Sequence, residues 1–156
     1  MKGRFEAADA AFIEEQWRRL WGLPVVSLER QYEPADVEGL VYRDDEGAPQ
    51  GLVTWHVDGD SAEIVTVDAF EQGRRIGGRL LTGAEEALRR QGVRRATIMT
   101  TNDNLRAIAF YVRHGYRLVA VHLDAMDRVR QIKPEVPEVG HDGLPLRDAI
   151  ELTKEL

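Results

Sequence analysis

The sequence predicts one α/β domain with elements in the order βββαβαβ. Three observations carry that prediction. Strand-like runs alternate with compact turn clusters in "GLVYRDDEGAPQGLVTWHVDGDSAEIVTVDAF", the pattern of an antiparallel meander. Two amphipathic helical segments follow, each leading into a further strand-like run. At 156 residues with 43% hydrophobic composition, the chain is long enough to close one core and short for two, so residues 1–156 are read as a single domain.

Taken in order, Asp9 is placed to cap a first helix in "AAFIEEQWRRLWG". Phe12, Ile13, Gln16, Trp17, Leu20 and Trp21 recur there at helical spacing, and Gly22 stops it. The clusters "DDEGAPQG" and "DGDS" divide the next segment into three strands, the last of which runs into "EQGRRIGG". From Ile76 to Arg90 a helix is predicted, with Ile76, Leu80, Leu81, Ala84 and Leu88 as its apolar stripe. A strand "RRATIMTT", a helix "NLRAIAFYVRHG" closed by Gly115 and a strand "YRLVAVHL" complete the core order. Beyond Asp124, "AMDRVRQI" reads as a short helix. "KPEVPEVGHDGLP" is irregular because of its prolines and glycines, and "DAIELTKEL" is a final strand.

Composition narrows the chemistry. A formal charge of -6 opposes a nucleic-acid partner, which selects a basic surplus. The N-terminus lacks the apolar stretch of a secretory leader, and no apolar run reaches membrane-spanning length, so a cytoplasmic protein with no membrane partner is expected. With no cysteine and four scattered histidines, thiolate nucleophiles are excluded and no metal site is expected.

Chemistry concentrates in "QGRRIGG", residues 72–78. The first turn of a helix presents unpaired N–H groups and the positive end of the macrodipole, an anion site. Gly73, Gly77 and Gly78 would let a ligand approach that backbone, and Arg74, Arg75 and Arg79 would add charge-assisted contacts to phosphate. Neither G-x-G-x-x-G nor G-x-x-x-x-G-K-[ST] is present, which argues against a nicotinamide dinucleotide or ATP.

Together with its neighbours, this stretch resembles the coenzyme A site of the GNAT superfamily of N-acetyltransferases. The family pattern [QR]-x-x-G-x-[GA] reads here Gln72-Gly73-Arg74-Arg75-Ile76-Gly77, with Arg75 where the family usually has glycine. A second pattern, N-x-x-A-x-x-[FL]-Y-x-x-x-G-[FY], is matched at Asn104, Ala107, Phe110, Tyr111, Gly115 and Tyr116. The likeness is best over residues 50–121. It implies the GNAT acyl-CoA N-acyltransferase fold, with a mixed, mostly antiparallel central sheet flanked by helices.

The activity implied is transfer of an acetyl group from acetyl-CoA, as co-substrate, directly to a primary amine of a small molecule or protein. Tyr111 matches the family's general acid, and Glu63 the strand glutamate that is general base in the histone acetyltransferase branch. The strand edge from Ile64 to Val67, Val65 included, would pair with the pantetheine arm. The Val67 N–H would face the developing oxyanion. Gln72 to Gly78 would hold the pyrophosphate, and Asn104, Ala107 and Phe110 would line the cofactor. By analogy with relatives, among which dimers are common, a homodimer is the expected assembly. The departure at Arg75 keeps open an alternative, a non-catalytic acyl-CoA-binding regulatory module.

Structural roles compete for the same residues. Strict alternation would put Glu63, Val65 and Val67 on one strand face and Ile64, Thr66 and Asp68 on the other. Tyr111 would join an apolar face of Leu105, Ile108 and Val112. Asn104 would be a helix cap.

Overall fold

The computed structural model describes residues 3–73 and 75–156, so that Arg74, a predicted phosphate contact, lies outside the described residues. The chain groups into two compact units. The first holds the described residues up to Val25, then Tyr32–Ala96 and Leu156; the second holds Val26–Gln31 and Thr97–Glu155.

In the first unit, β1 (Arg4–Ala7) leads into α1 (Ala10–Leu20). Asp9 caps α1 as expected, its carboxylate accepting the Phe12 N–H at 2.8 Å. A short hairpin, β2 (Val25–Ser27) and β3 (Arg30–Tyr32), precedes the meander of β4 (Glu38–Arg43), β5 (Pro49–Asp58) and β6 (Ser61–Ala69). α2 (Ile76–Arg90) follows. Strands order as β1-β4-β5-β6, and both β4/β5 and β5/β6 are antiparallel. β1, which the sequence reading left unassigned, pairs antiparallel with β4, and Arg43 binds the Glu6 carboxylate at 2.7 Å. Its four residues are too few to display a period.

All five predicted stripe residues of α2 are buried. The helix lies so close to the sheet that a Cβ on Gly51 would come within 2.7 Å of Leu80 Cδ1 and 3.0 Å of Ile76 Cγ2. Glycine at 51 therefore sets the helix-to-sheet spacing, and with it the height of the turn that opens α2.

One correction follows from the register of β6. Thr54 pairs with Thr66 but Trp55 pairs with Ile64, so Val65 is an extra residue, a β-bulge. The bulge shifts the phase of alternation. Partners alternate along β5, so Glu63 (opposite His56), Thr66 (opposite Thr54) and Asp68 (opposite Leu52) share one face, while Ile64 and Val67 share the other. The predicted grouping of Glu63 with Val65 and Val67, against Asp68, does not hold.

The second unit runs β7 (Arg95–Thr101, entering from the first unit), α3 (Leu105–Arg113), β8 (Arg117–His122), α4 (Ala125–Ile132) and β9 (Ala149–Glu155). β9 inserts between β7 and β8 and pairs antiparallel with β8. The intervening segment is irregular, as its prolines demand, yet tied down. Asn102 Oδ1 accepts the N–H groups of Arg147 and Asp148, its Nδ2 donates to the Pro145 carbonyl at 2.8 Å, and Arg130 donates to the Val136, Pro137 and Leu146 carbonyls. A second correction concerns α3. Leu105 and Val112 are exposed, and no α3 residue is fully buried, so the apolar face predicted for Leu105, Ile108 and Val112 is not a core face.

Candidate active site

The turn between β6 and α2 sets two left-handed residues, Gly73 and Arg75, just ahead of a helix N-terminus. Gly73 has φ of +86° with open space where its Cβ would be, so conformation, and not crowding, selects glycine there. Arg75, at the N-cap of α2, is also left-handed, with φ 57° and ψ 23°. The family glycine thus has a conformational reason, and an L-residue there carries a cost of about 1–2 kcal/mol. Arg75→Gly is accordingly expected to stabilise the protein by about 1 kcal/mol in urea unfolding. An unchanged or lowered midpoint would mean that the Arg75 side chain makes contacts offsetting the strain.

Ile76 anchors the turn by burial, and Gly77 and Gly78 form the first turn of α2, where backbone N–H groups point beyond the helix end. Gln72 and Arg75 are exposed beside it. Arg79 differs from expectation. Its guanidinium donates to the Tyr42 hydroxyl at 3.2 Å and sits 5.7 Å from the centre of that ring, a cation–π arrangement that holds it against the sheet.

Three polar side chains on one face of β6 each accept from an aromatic donor. Tyr32, fully buried, donates its hydroxyl to Glu63 Oε1 at 2.7 Å. Trp17 donates to Thr66 Oγ1 at 3.2 Å, and Trp21 to Asp68 Oδ2 at 2.9 Å. Ile13, Trp17, Val25, Tyr32 and Leu52 form an apolar cluster that seats the Trp17 and Tyr32 donors, whereas Trp21 is exposed. Glu63 is half-buried, so its carboxylate is oriented without being sealed off. The His56 ring lies 5.6 Å from that of Tyr32, and its Nδ1 is 2.8 Å from the Asp36 carbonyl, an acceptor, so that nitrogen carries the proton.

Asp68, which the sequence reading did not single out, has its carboxyl pushed up to about 6, chiefly by burial; the Trp21 donor and the charge of Arg19 act in the opposite sense. It takes up a proton just below neutrality. Tyr32, Trp21 and Asp68 escaped the motif search because their contacts span 31 to 47 residues. The one available signal was the polar residue at every second or third position of an otherwise apolar strand.

In the second unit, Asn104 caps α3 through Oδ1, which accepts the Ala107 N–H at 3.2 Å. Its Nδ2 donates to nothing else among the described residues, so the cap leaves the amide able to serve a ligand as well. Ala107, Phe110 and Tyr111 are half-buried along α3. The Tyr111 ring is held by edge contacts, 5.3 Å from Phe110 and 6.1 Å from Tyr116. His122 Nε2 meets Glu151 Oε1 at 2.8 Å across β8 and β9.

A bulged strand, left-handed Gly73 and Arg75, and the helix that starts at Ile76 are the local features of a protein class whose helix N-termini bind phosphate-bearing carriers. The model of the acetyltransferase (GNAT) family matches residues 9–116. The chain is 34% identical over 141 residues to the uncharacterised protein YxbD of Bacillus subtilis (strain 168), covering 90% of this chain and 89% of that one. In fold it is similar to an IAA acetyltransferase from Bacillus cereus ATCC 14579, with a TM-score of 0.76 at 20% identity over 99% of this chain and 100% of that chain. It is also similar to a GNAT family acetyltransferase from Elizabethkingia anophelis with acetyl-CoA bound, with a TM-score of 0.74 at 18% identity over 99% and 98% of the two chains. The chain belongs to the acetyltransferase (GNAT) family. That membership makes it an acyltransferase with the GNAT fold, as its sequence motifs implied.

No helix among the described residues is long and apolar enough to cross a membrane.

Proposed function

We propose that this protein transfers the acetyl group of acetyl-CoA directly to a primary amine carried by a small molecule or a protein. The observation that carries the reading is the opening of α2, where glycines and a left-handed residue precede the helix N-terminus, a backbone arrangement suited to a pyrophosphate. In the reaction the amine nitrogen bonds to the thioester carbon, the carbon–sulfur bond breaks, and the amine proton leaves. Glu63 takes that proton, directly or through water, and Tyr111 gives one to the departing thiolate. The bulge at Val65 supports a backbone donor nearby for the oxyanion, because a bulge breaks the regular pairing of N–H groups. The Val67 N–H is the donor the family pattern selects.

Glu63 and Asp68 share a face with aromatic side chains around them, and this supports a cationic acceptor, held by carboxylate and ring before it is deprotonated. Calorimetric titration with acetyl-CoA, with NADH and ATP as controls, tests the cofactor; thiol release with a panel of primary amines tests the transfer. Saturable binding of acetyl-CoA alone and amine-dependent release are expected. Arg75, in a position that favours glycine, is the observation favouring a second reading, a regulatory module that binds acyl-CoA without turnover. Binding without release from any amine would select it.

Glu63→Gln keeps the acceptor for the Tyr32 hydroxyl but removes the base. Turnover at pH 7 is expected to fall about ten- to a hundred-fold. The residual rate should climb toward the acceptor's own amine pKa, near 10.4 for a lysine-like amine. An unaltered pH–rate profile would take Glu63 out of the mechanism.

A further inference from the structure

Two hydroxyls are buried where β5 meets β6. Thr54 is 0% exposed and Thr66 2%, and the two residues are paired across the strands. Valine would fill the same space with no polar group to satisfy, so a hydroxyl buried here needs hydrogen-bond partners to offset its desolvation. These two have them. Their oxygens lie 2.6 Å apart, so one hydroxyl donates to the other. Two N–H groups, which can only donate, come to the pair: the Trp17 indole to Thr66 Oγ1 at 3.2 Å, and the Thr66 backbone N–H to Thr54 Oγ1 at 3.2 Å. Thr66 is thus held through its side chain and its backbone at once, from α1 and from β5.

Thr66 stands between the bulge residue Val65 and Val67. A bulge disrupts the ladder locally, so the peptides beside it need other contacts to hold their direction. Along a strand in an antiparallel pair, successive N–H groups point alternately to its two edges. Because the Thr66 N–H is directed to β5, the Val67 N–H is directed to the opposite edge of β6. We propose that Thr54 is a positioning residue for the oxyanion donor: its hydroxyl, with Trp17 bracing Thr66 from α1, fixes the peptide that carries the Val67 N–H. The inference rests on the acetyl-transfer reading, which gives that N–H its task. Thr54 and Trp17 are both fully buried and act through Thr66. A donor held in advance at the right angle needs no reorganisation when charge develops on the thioester oxygen, which is what such a brace contributes.

Infrared difference spectroscopy of acetyl-CoA with an isotope-labelled thioester carbonyl tests this without any acceptor amine. A well-aimed N–H polarises the carbonyl and lowers its stretching frequency on binding. The wild-type chain should show that lowering. Thr54→Val, alike in shape but without the hydroxyl, should lose most of it, while calorimetry shows acetyl-CoA affinity nearly kept and circular dichroism is unchanged. Thr54→Ser, which keeps the hydroxyl, should retain the lowering, and Thr54→Ala should lose it; the serine and alanine variants repeat the comparison with the methyl group absent from both. A wild-type frequency equal to that of free acetyl-CoA, or no binding, overturns the oxyanion reading and this inference with it. A lowering that Thr54→Val and Thr54→Ala both keep in full overturns the role of Thr54 alone.

Discussion

Gly77→Glu is expected to weaken acetyl-CoA binding by at least about a hundredfold, since an unpaired like charge at a binding site costs several kcal/mol. Gly77 is the second residue of α2. A carboxylate there would stand among the first-turn N–H groups that the proposed function assigns to the pyrophosphate, and would compete with it from within the chain. The substitution is otherwise favourable to folding. Glutamate in the first turn complements the helix macrodipole and has a better helix propensity than glycine, so the melting temperature should hold or rise. Gly77→Ala, which adds a methyl group and no charge, should lose far less affinity. Calorimetry with acetyl-CoA on all three proteins separates the outcomes. Full binding by a folded Gly77→Glu protein would place the pyrophosphate elsewhere and remove the main support for the proposed function.

The features that support binding at this turn are exposed by the sequence to different degrees. The α2 limits, Ile76 and Arg90, were readable because the apolar stripe is long and strictly periodic, and the glycines just before it are strong punctuation. Asn104 was readable as a cap because the cap is local, three residues from its partner. The bulge at Val65 was not, because an extra residue in a strand leaves no mark on composition, and one valine more or less reads as the same apolar run. With the bulge went the facing of Glu63, which alternation alone puts on the wrong side. Its hydrogen bond to Tyr32 joins residues 31 apart through a short hairpin without periodicity. Periodicity also names an apolar face without saying that anything covers it. Leu105 and Val112 illustrate the gap, for the helix forms as predicted and leaves them exposed.

Tyr111→Phe is expected to lower turnover by about ten- to ten-thousand-fold, the range of a general acid–base contribution, with acetyl-CoA affinity nearly kept. The substitution is conservative for the fold. Tyr111 contacts Phe110 and Tyr116 through its ring, and phenylalanine preserves both edge contacts. What is lost is one hydroxyl. A phenol with an ordinary pKa of about 10 is a weaker acid than a thiol of about 8.5, so its proton moves only as negative charge builds on the sulfur. The help is therefore concentrated in the transition state, and the loss should appear in kcat and kcat/KM alike, with KM little changed. Thioesters with a more acidic leaving thiol need less protonation, so the variant should discriminate against them less than the wild-type chain does. Equal losses on both kinds of thioester would assign Tyr111 to positioning the cofactor. Unchanged turnover would remove it from the chemistry and leave the leaving thiolate to solvent.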